Sequence, residues 1–167
     1  MNSQSNAPDA LPPGLEEALA TVMDDDSPEN RAAVLLGFAT SPVTVMLDQP
    51  WDGESLPDAD TRFLLVSDGA DADQPMLAVF STGERAQRFR DAAQLGGEFE
   101  HVVEVSGSWS LLSVTNGMGV MIDPNLDSAF RIGPEMAEKL RDDVQEAMER
   151  VADRHLQTDA PDADGGA

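Results

Sequence analysis

The chain has no cysteine, which excludes disulfides, thiolate nucleophiles and cysteine-based zinc or iron–sulfur sites without fixing a compartment. It is almost without lysine. Lys139 is the only one, and 10 basic residues stand against 32 acidic ones for a net charge of −22. Such a field repels phosphate backbones and anionic lipid, so direct nucleic-acid binding and membrane-surface binding are not expected. No run approaches the ~18 apolar residues that a membrane span requires. Met1 to Pro13 carries neither a basic residue nor an apolar signal core, so a soluble cytoplasmic protein is expected. An Asp-rich, Lys-poor composition also fits a salty cytoplasm, where screening relieves self-repulsion. Halophilic adaptation therefore competes with function as the origin of the charge.

At 167 residues, with no break in composition, the chain suits one domain with its own core. Residues 1–13 and 157–167 have little to bury and read as disordered tails around a domain at 14–156. Leu15 to Met23 is a short helix. Ser27-Pro28-Glu29 starts a second helix, to about Ala39, with Ser27 as cap and Val34, Leu35 and Phe38 on its buried face. Val43 to Leu47, Phe63 to Val66 and Met76 to Phe80 are strands. Their continuous apolar runs imply cover on both faces. Ser67 to Pro75 reads as a polar hairpin loop.

Ser81-Thr82-Gly83-Glu84 fits a capping box with Ser81 as cap, opening a helix that buries Ala86, Phe89 and Ala93 and ends at Gly96-Gly97. Phe99 to Val105 is the next strand, and Ser106 to Thr115 a short helix. Gly119 to Ile122 and Ala129 to Ile132 are the last strands. A long amphipathic helix begins at Pro134, with Met136, Leu140, Val144, Ala147, Met148 and Val151 as its apolar stripe. Glu135/Lys139 and Glu146/Arg150 pair along its outer face. The order α-α-β-β-β-α-β-α-β-β-α gives an α+β single domain with a mixed sheet of about five to six strands and helices on its faces. The second and third strands pair antiparallel, and the strands flanking the Ser81 helix run parallel through a right-handed crossover.

The groups that could carry chemistry do not assemble into a catalytic set. His101 and His155 lie far apart, with no thiol or close acid to complete a metal site. Numbering a calcium loop from Asp68 places Asp73 where glycine is needed and Val79 where a bidentate glutamate is needed. Asp24, Asp25 and Asp26 are contiguous and read as a cap with solvated charge. Ser106 to Ser110 lacks a nucleophile elbow, and there is no P-loop or dinucleotide fingerprint. The expected enzyme class, metal and cofactor are therefore none. Between Asp48 and Asp73 there are eight acidic residues and one arginine. Trp51, with Asp48, Asp52, Glu54, Asp58 and Asp60, is a candidate contact surface for a basic protein, since aromatic anchors dominate interfaces. The competing reading folds Trp51 back over a sheet edge.

Three blocks carry a family resemblance: Leu77 to Arg85, Gly119 to Pro124, and Phe130 to Glu135. Together they resemble the SseB N-terminal domain family, across most of Pro28 to Arg150. Ala78 stands where the family has proline, and Asp123 where it has asparagine; Asp supports the same turn chemistry. The resemblance implies a bacterial protein, an α+β fold and no agreed catalytic residues to carry over. The leading expectation is a non-enzymatic cytoplasmic binding or regulatory module whose acidic surface engages a basic protein. One alternative is an enzyme or small-metabolite binder linked to amino-acid or sulfur metabolism, with a pocket near Gly119, Asp123 and Arg131. Another is an immunity protein or nucleic-acid mimic that blocks a basic partner.

Overall fold

The computed structural model describes residues 14–69, 71–95 and 97–158. Its elements are α1 (Leu15–Asp24), α2 (Pro28–Thr40), β1 (Pro42–Leu47), β2 (Leu65–Asp68), β3 (Asp71–Phe80), α3 (Gly83–Ala93), β4 (His101–Ser106), α4 (Gly107–Leu112), β5 (Gly119–Ile122), β6 (Phe130–Ile132) and α5 (Pro134–Thr158). This is the order that the hydrophobic pattern and turn residues imply. The expected tails lie outside the described residues, except for the end of α5. No described helix is long and apolar enough to cross a membrane.

The strands form one six-stranded mixed sheet in the order β4-β1-β3-β5-β6, with β2 also on β3. Both β1 and β2 pair antiparallel with β3, one after the other along the same strand: Thr44 and Val45 face Phe80 and Val79, while Leu65 and Val66 face Leu77 and Met76. The parallel pair is β3 with β5. The two strands around α3 point the same way, but β1 lies between them and pairs antiparallel with both. The parallel relation expected around α3 is therefore present, with β1 inserted between the two strands, because hydrophobic runs identify strands but not their neighbours.

Alternation in β1 and β3 divides the core between the two sheet faces. Val43, Val45, Leu47, Leu77 and Val79 meet Leu19, Phe38, Leu111 and Ala137 from α1, α2, α4 and α5. On the other face Met46, Ala78 and Phe80 meet Ala86 and Phe89 of α3, with the Phe80 and Phe89 rings 5.3 Å apart. Each fully buried Leu, Phe or Met contributes about 1.5–3 kcal/mol of transfer free energy. A continuous apolar run thus reports cover on both sides in β1 and β3; the same expectation for Phe63 to Val66 is corrected, since β2 pairs only beside β3 and leaves Leu65 44 % exposed.

Several local expectations shift. The N-cap of α3 is Thr82, whose hydroxyl accepts from the Arg85 N–H at 3.3 Å, because the Ser81 hydroxyl is drawn to Asp123. That helix ends at Ala93, with Gln94 in the left-handed region at φ 51°, ahead of the glycines. The early turn lets Leu95 and Phe99 pack on the α3-side core. The expected polar loop 67–75 is mostly strand, with β2 and β3 paired down to Asp68 and Asp71. Backbone pairing carries on past the apolar run, where side-chain hydropathy no longer reports it. The short helix closes at Leu112 instead of Thr115.

The stripe on α5 is only half used. Ala137 is buried, and Leu140 and Val144 pack against the core, whereas Met136, Met148 and Val151 are 42, 58 and 52 % exposed. The helix outruns the α4 and β5 surfaces on which it rests. Glu146 and Arg150 pair at 2.6 Å, but Glu135 and Lys139 do not come within ion-pair distance.

Candidate functional site

The segment joining β1 to β2 is closed at its stem by successive cross-chain contacts. Leu47 bridges Phe63, and the Asp48 N–H donates to the Arg62 carbonyl at 3.1 Å. The Asp48 carboxylate accepts from the Arg62 backbone N–H at 2.8 Å and from its Nε at 2.7 Å. Above these, the Gln49 amide donates to the Thr61 hydroxyl at 3.1 Å. The Arg62 backbone N–H and guanidinium hold the Asp48 carboxyl below its ordinary value of 3.8, and Asp48 in turn raises Arg62.

A second fixed point sits farther along. Asp52 Oδ1 accepts from the backbone N–H groups of Glu54 and Ser55 and from the Ser55 hydroxyl, at 2.9, 3.1 and 3.0 Å. Those backbone donors lower the Asp52 pKa, as expected where an aspartate side chain organises a turn. Trp51 donates its indole N–H to the Ser55 carbonyl at 3.0 Å. Its ring lies 4.8 Å from Trp109 of α4 at 30° and 6.5 Å from Phe63 at 77°. Trp51 therefore ties the loop to the domain, and its ring is occupied by two aromatic neighbours.

Beyond this scaffold the loop is open to solvent. Glu54, Asp58 and Asp60 are exposed and have no ion-pair partner among the described residues. Leu56 is 87 % exposed, the highest value among the exposed large hydrophobics. The six residues anticipated from sequence thus separate by role. Asp48, Trp51 and Asp52 hold the loop, while Glu54, Asp58 and Asp60 project from it beside an exposed leucine.

Arg62 and Phe63, at the end of the loop, also form part of a pocket of about 410 Å³ completed by Leu65, Leu77, Phe99, Ser113 and Met118. Leu65 faces this space from β2 and is 44 % exposed. The pocket has no sequence signature, because its walls come from β2, β3 and the turns before β4 and β5.

Asp123, Gly119 and Arg131 do not converge. Gly119 starts β5, pressed so close to the Ile132 carbonyl that a Cβ would lie 2.6 Å from it. Asp123 follows the other end of that strand with 0 % exposure. It accepts from the Ser81 N–H at 2.8 Å, the Ser81 hydroxyl at 2.8 Å, Arg85 at 2.9 Å and the Ser128 hydroxyl at 3.1 Å. Arg85 also donates to the Ser128 hydroxyl. This node joins the ends of the parallel strands β3 and β5 to the start of α3. Ser81 and Arg85, placed before and within the first turn of that helix, were the sequence signal for it. Arg131 is exposed on β6, donates to Gln74 at 3.3 Å, and lines a separate groove of about 610 Å³. There Arg31 is paired with Asp26 at 2.5 Å and stands 5.8 Å above the Phe130 ring.

Several of the remaining polar groups have structural partners. Ser106 caps α4 by accepting from the Trp109 N–H at 3.1 Å, and the buried Ser110 donates to the Gly107 carbonyl at 2.6 Å. Asp25 accepts from the Asn30 side chain. His101 lies in β4 opposite Leu47, and the His155 side chain is outside the described set. Among the described residues no three His, Asp or Glu side chains group as metal ligands.

A six-stranded mixed sheet, helices on both faces and a long C-terminal helix define an α+β domain of one sheet. The model of the SseB protein N-terminal domain matches residues 15–139, and the chain belongs to that family. The match takes in α1, ahead of the blocks that carry the resemblance, and stops inside α5. No curated protein and no solved structure matches the chain.

Proposed function

We propose that the protein is a non-enzymatic binding module of the bacterial cytoplasm whose acidic loop engages a basic protein. The observation that carries this reading is Leu56, 87 % exposed, set among the unpaired carboxylates of Glu54, Asp58 and Asp60 on a loop fixed at its stem. A prefixed loop loses less conformational entropy on binding than a floppy one. Unpaired surface carboxylates accelerate encounter with a cationic partner, and an apolar residue among them supplies desolvation once docked.

The test places a photo-crosslinking residue at position 56 in the native cell. The expected result is crosslinking to a discrete basic protein, lost when Glu54→Gln, Asp58→Asn and Asp60→Asn are combined. Crosslinking unchanged by that triple variant, or no crosslinked product at all, refutes the reading.

A further inference from the structure

From the pocket beside the loop we infer the kind of segment the partner presents: a basic peptide stretch carrying one large apolar side chain that seats between Phe63, Leu65, Leu77 and Met118. This rests on the proposed basic-partner reading and extends it from the loop to an adjoining cavity.

The chemistry of the walls selects the occupant. A polar metabolite is oriented by a few convergent polar groups in its site. Here polar groups are few: the Ser113 hydroxyl donates to the Trp109 carbonyl at 3.2 Å, and Arg62 gives its Nε to Asp48 at 2.7 Å with the side chain 73 % exposed to solvent. What faces the space is mainly hydrocarbon and aromatic ring, including a leucine left 44 % exposed on a strand. An apolar group gains by filling it, whereas a polar one loses its water without replacement bonds.

Charge around the mouth excludes anionic amphiphiles such as fatty acids. Arg62, the cation among the described lining residues, is paired with Asp48, and Glu98 immediately precedes Phe99 of the pocket wall. Asp58 and Asp60 precede Arg62 by four and two residues, which keeps them within about 14 Å and 7 Å along the chain. Cationic residues flanking an apolar anchor match this arrangement. An anchor in a desolvated pocket surrounded by polar contacts is also how interfaces concentrate their binding energy.

The experiment measures binding of the full chain to short Lys/Arg-rich peptides whose central residue is Ser, Leu, Phe or Trp, at low and high salt. The apolar centres are expected to bind roughly 10-fold or more tightly than Ser, from the area they bury. That gain should vanish in Leu65→Gln, a half-exposed position, and in Met118→Gln as a second variant. Equal binding of the Ser and Phe peptides, or a gain that survives both variants, overturns the pocket assignment. In that case salt-sensitive binding abolished by neutralising Glu54, Asp58 and Asp60 leaves the loop reading standing. If no peptide binds at either salt, both fall.

Discussion

Replacing Asp123 by asparagine isolates one ion pair in the interior. Asparagine is nearly isosteric, tolerates the left-handed backbone found here at φ 50°, and is the residue carried by the family block that this segment resembles. The turn itself should survive. The amide Oδ1 can still accept from the Ser81 N–H, and the Ser81 and Ser128 hydroxyls can rotate to accept from the new NH₂. Arg85 loses this contact, since its N–H would meet another donor at 2.9 Å, and is left with the Ser128 hydroxyl and the Glu16 carboxylate at 3.9 Å. Breaking a buried pair costs about 3–5 kcal/mol. The Arg85 side chain is 29 % exposed and regains some water, which puts the estimate near the lower end, about 3 kcal/mol. For a domain of this size each kcal/mol shifts Tm by about 2–4 °C, so a loss of about 6–12 °C is expected. The assay is thermal unfolding of the wild type, Asp123→Asn, Arg85→Gln and the double variant, closed as a thermodynamic cycle. A loss below about 2 °C, or single losses that simply add, would show that the pair does not hold the β3, β5 and α3 ends together.

Gly107→Ala would place a Cβ 1.7 Å from the Phe38 carbonyl oxygen, so α4 must move off α2; a loss of at least about 1–3 kcal/mol is expected in denaturant unfolding. Trp51→Ala removes a half-buried ring from the Trp109 and Phe63 cluster and should cost about 2 kcal/mol, below the range for a fully buried Trp; faster proteolysis within 48–62 and a loss of near-ultraviolet dichroism from Trp109 are the readouts. Asp48 and Asp52 have lowered pKa values in the folded loop. Their stabilisation is complete above the unfolded value of about 3.9 and is lost as pH falls through the lower folded values. Hydrogen exchange in the loop should therefore be unaffected between neutral and mildly acidic pH once corrected for intrinsic rates, and rise below about pH 4; a loop that opens already near neutrality would contradict this.

The sequence by itself determined the element order, the two buried central strands and most helix starts. These depend on short-range chemistry: Ser27 accepting from the Asn30 N–H, Pro28 opening α2, and apolar runs at Val43–Leu47 and Met76–Phe80 that must be covered on both faces. It also located the acidic loop, because charge is visible without coordinates. Only the tertiary structure decided which strands are neighbours, since β1 inserted between β3 and β4 is a choice among topologies with equal hydropathy. It also decided that Ser81 yields the cap of α3 to Thr82, because Asp123, 42 residues away, competes for its hydroxyl. The same long-range packing turned Trp51 from a free surface aromatic into the loop's support and assembled a pocket from segments with no common motif. Local propensity acts over a few residues, whereas a site built across a sheet is fixed by contacts that exist only once the chain has closed on itself.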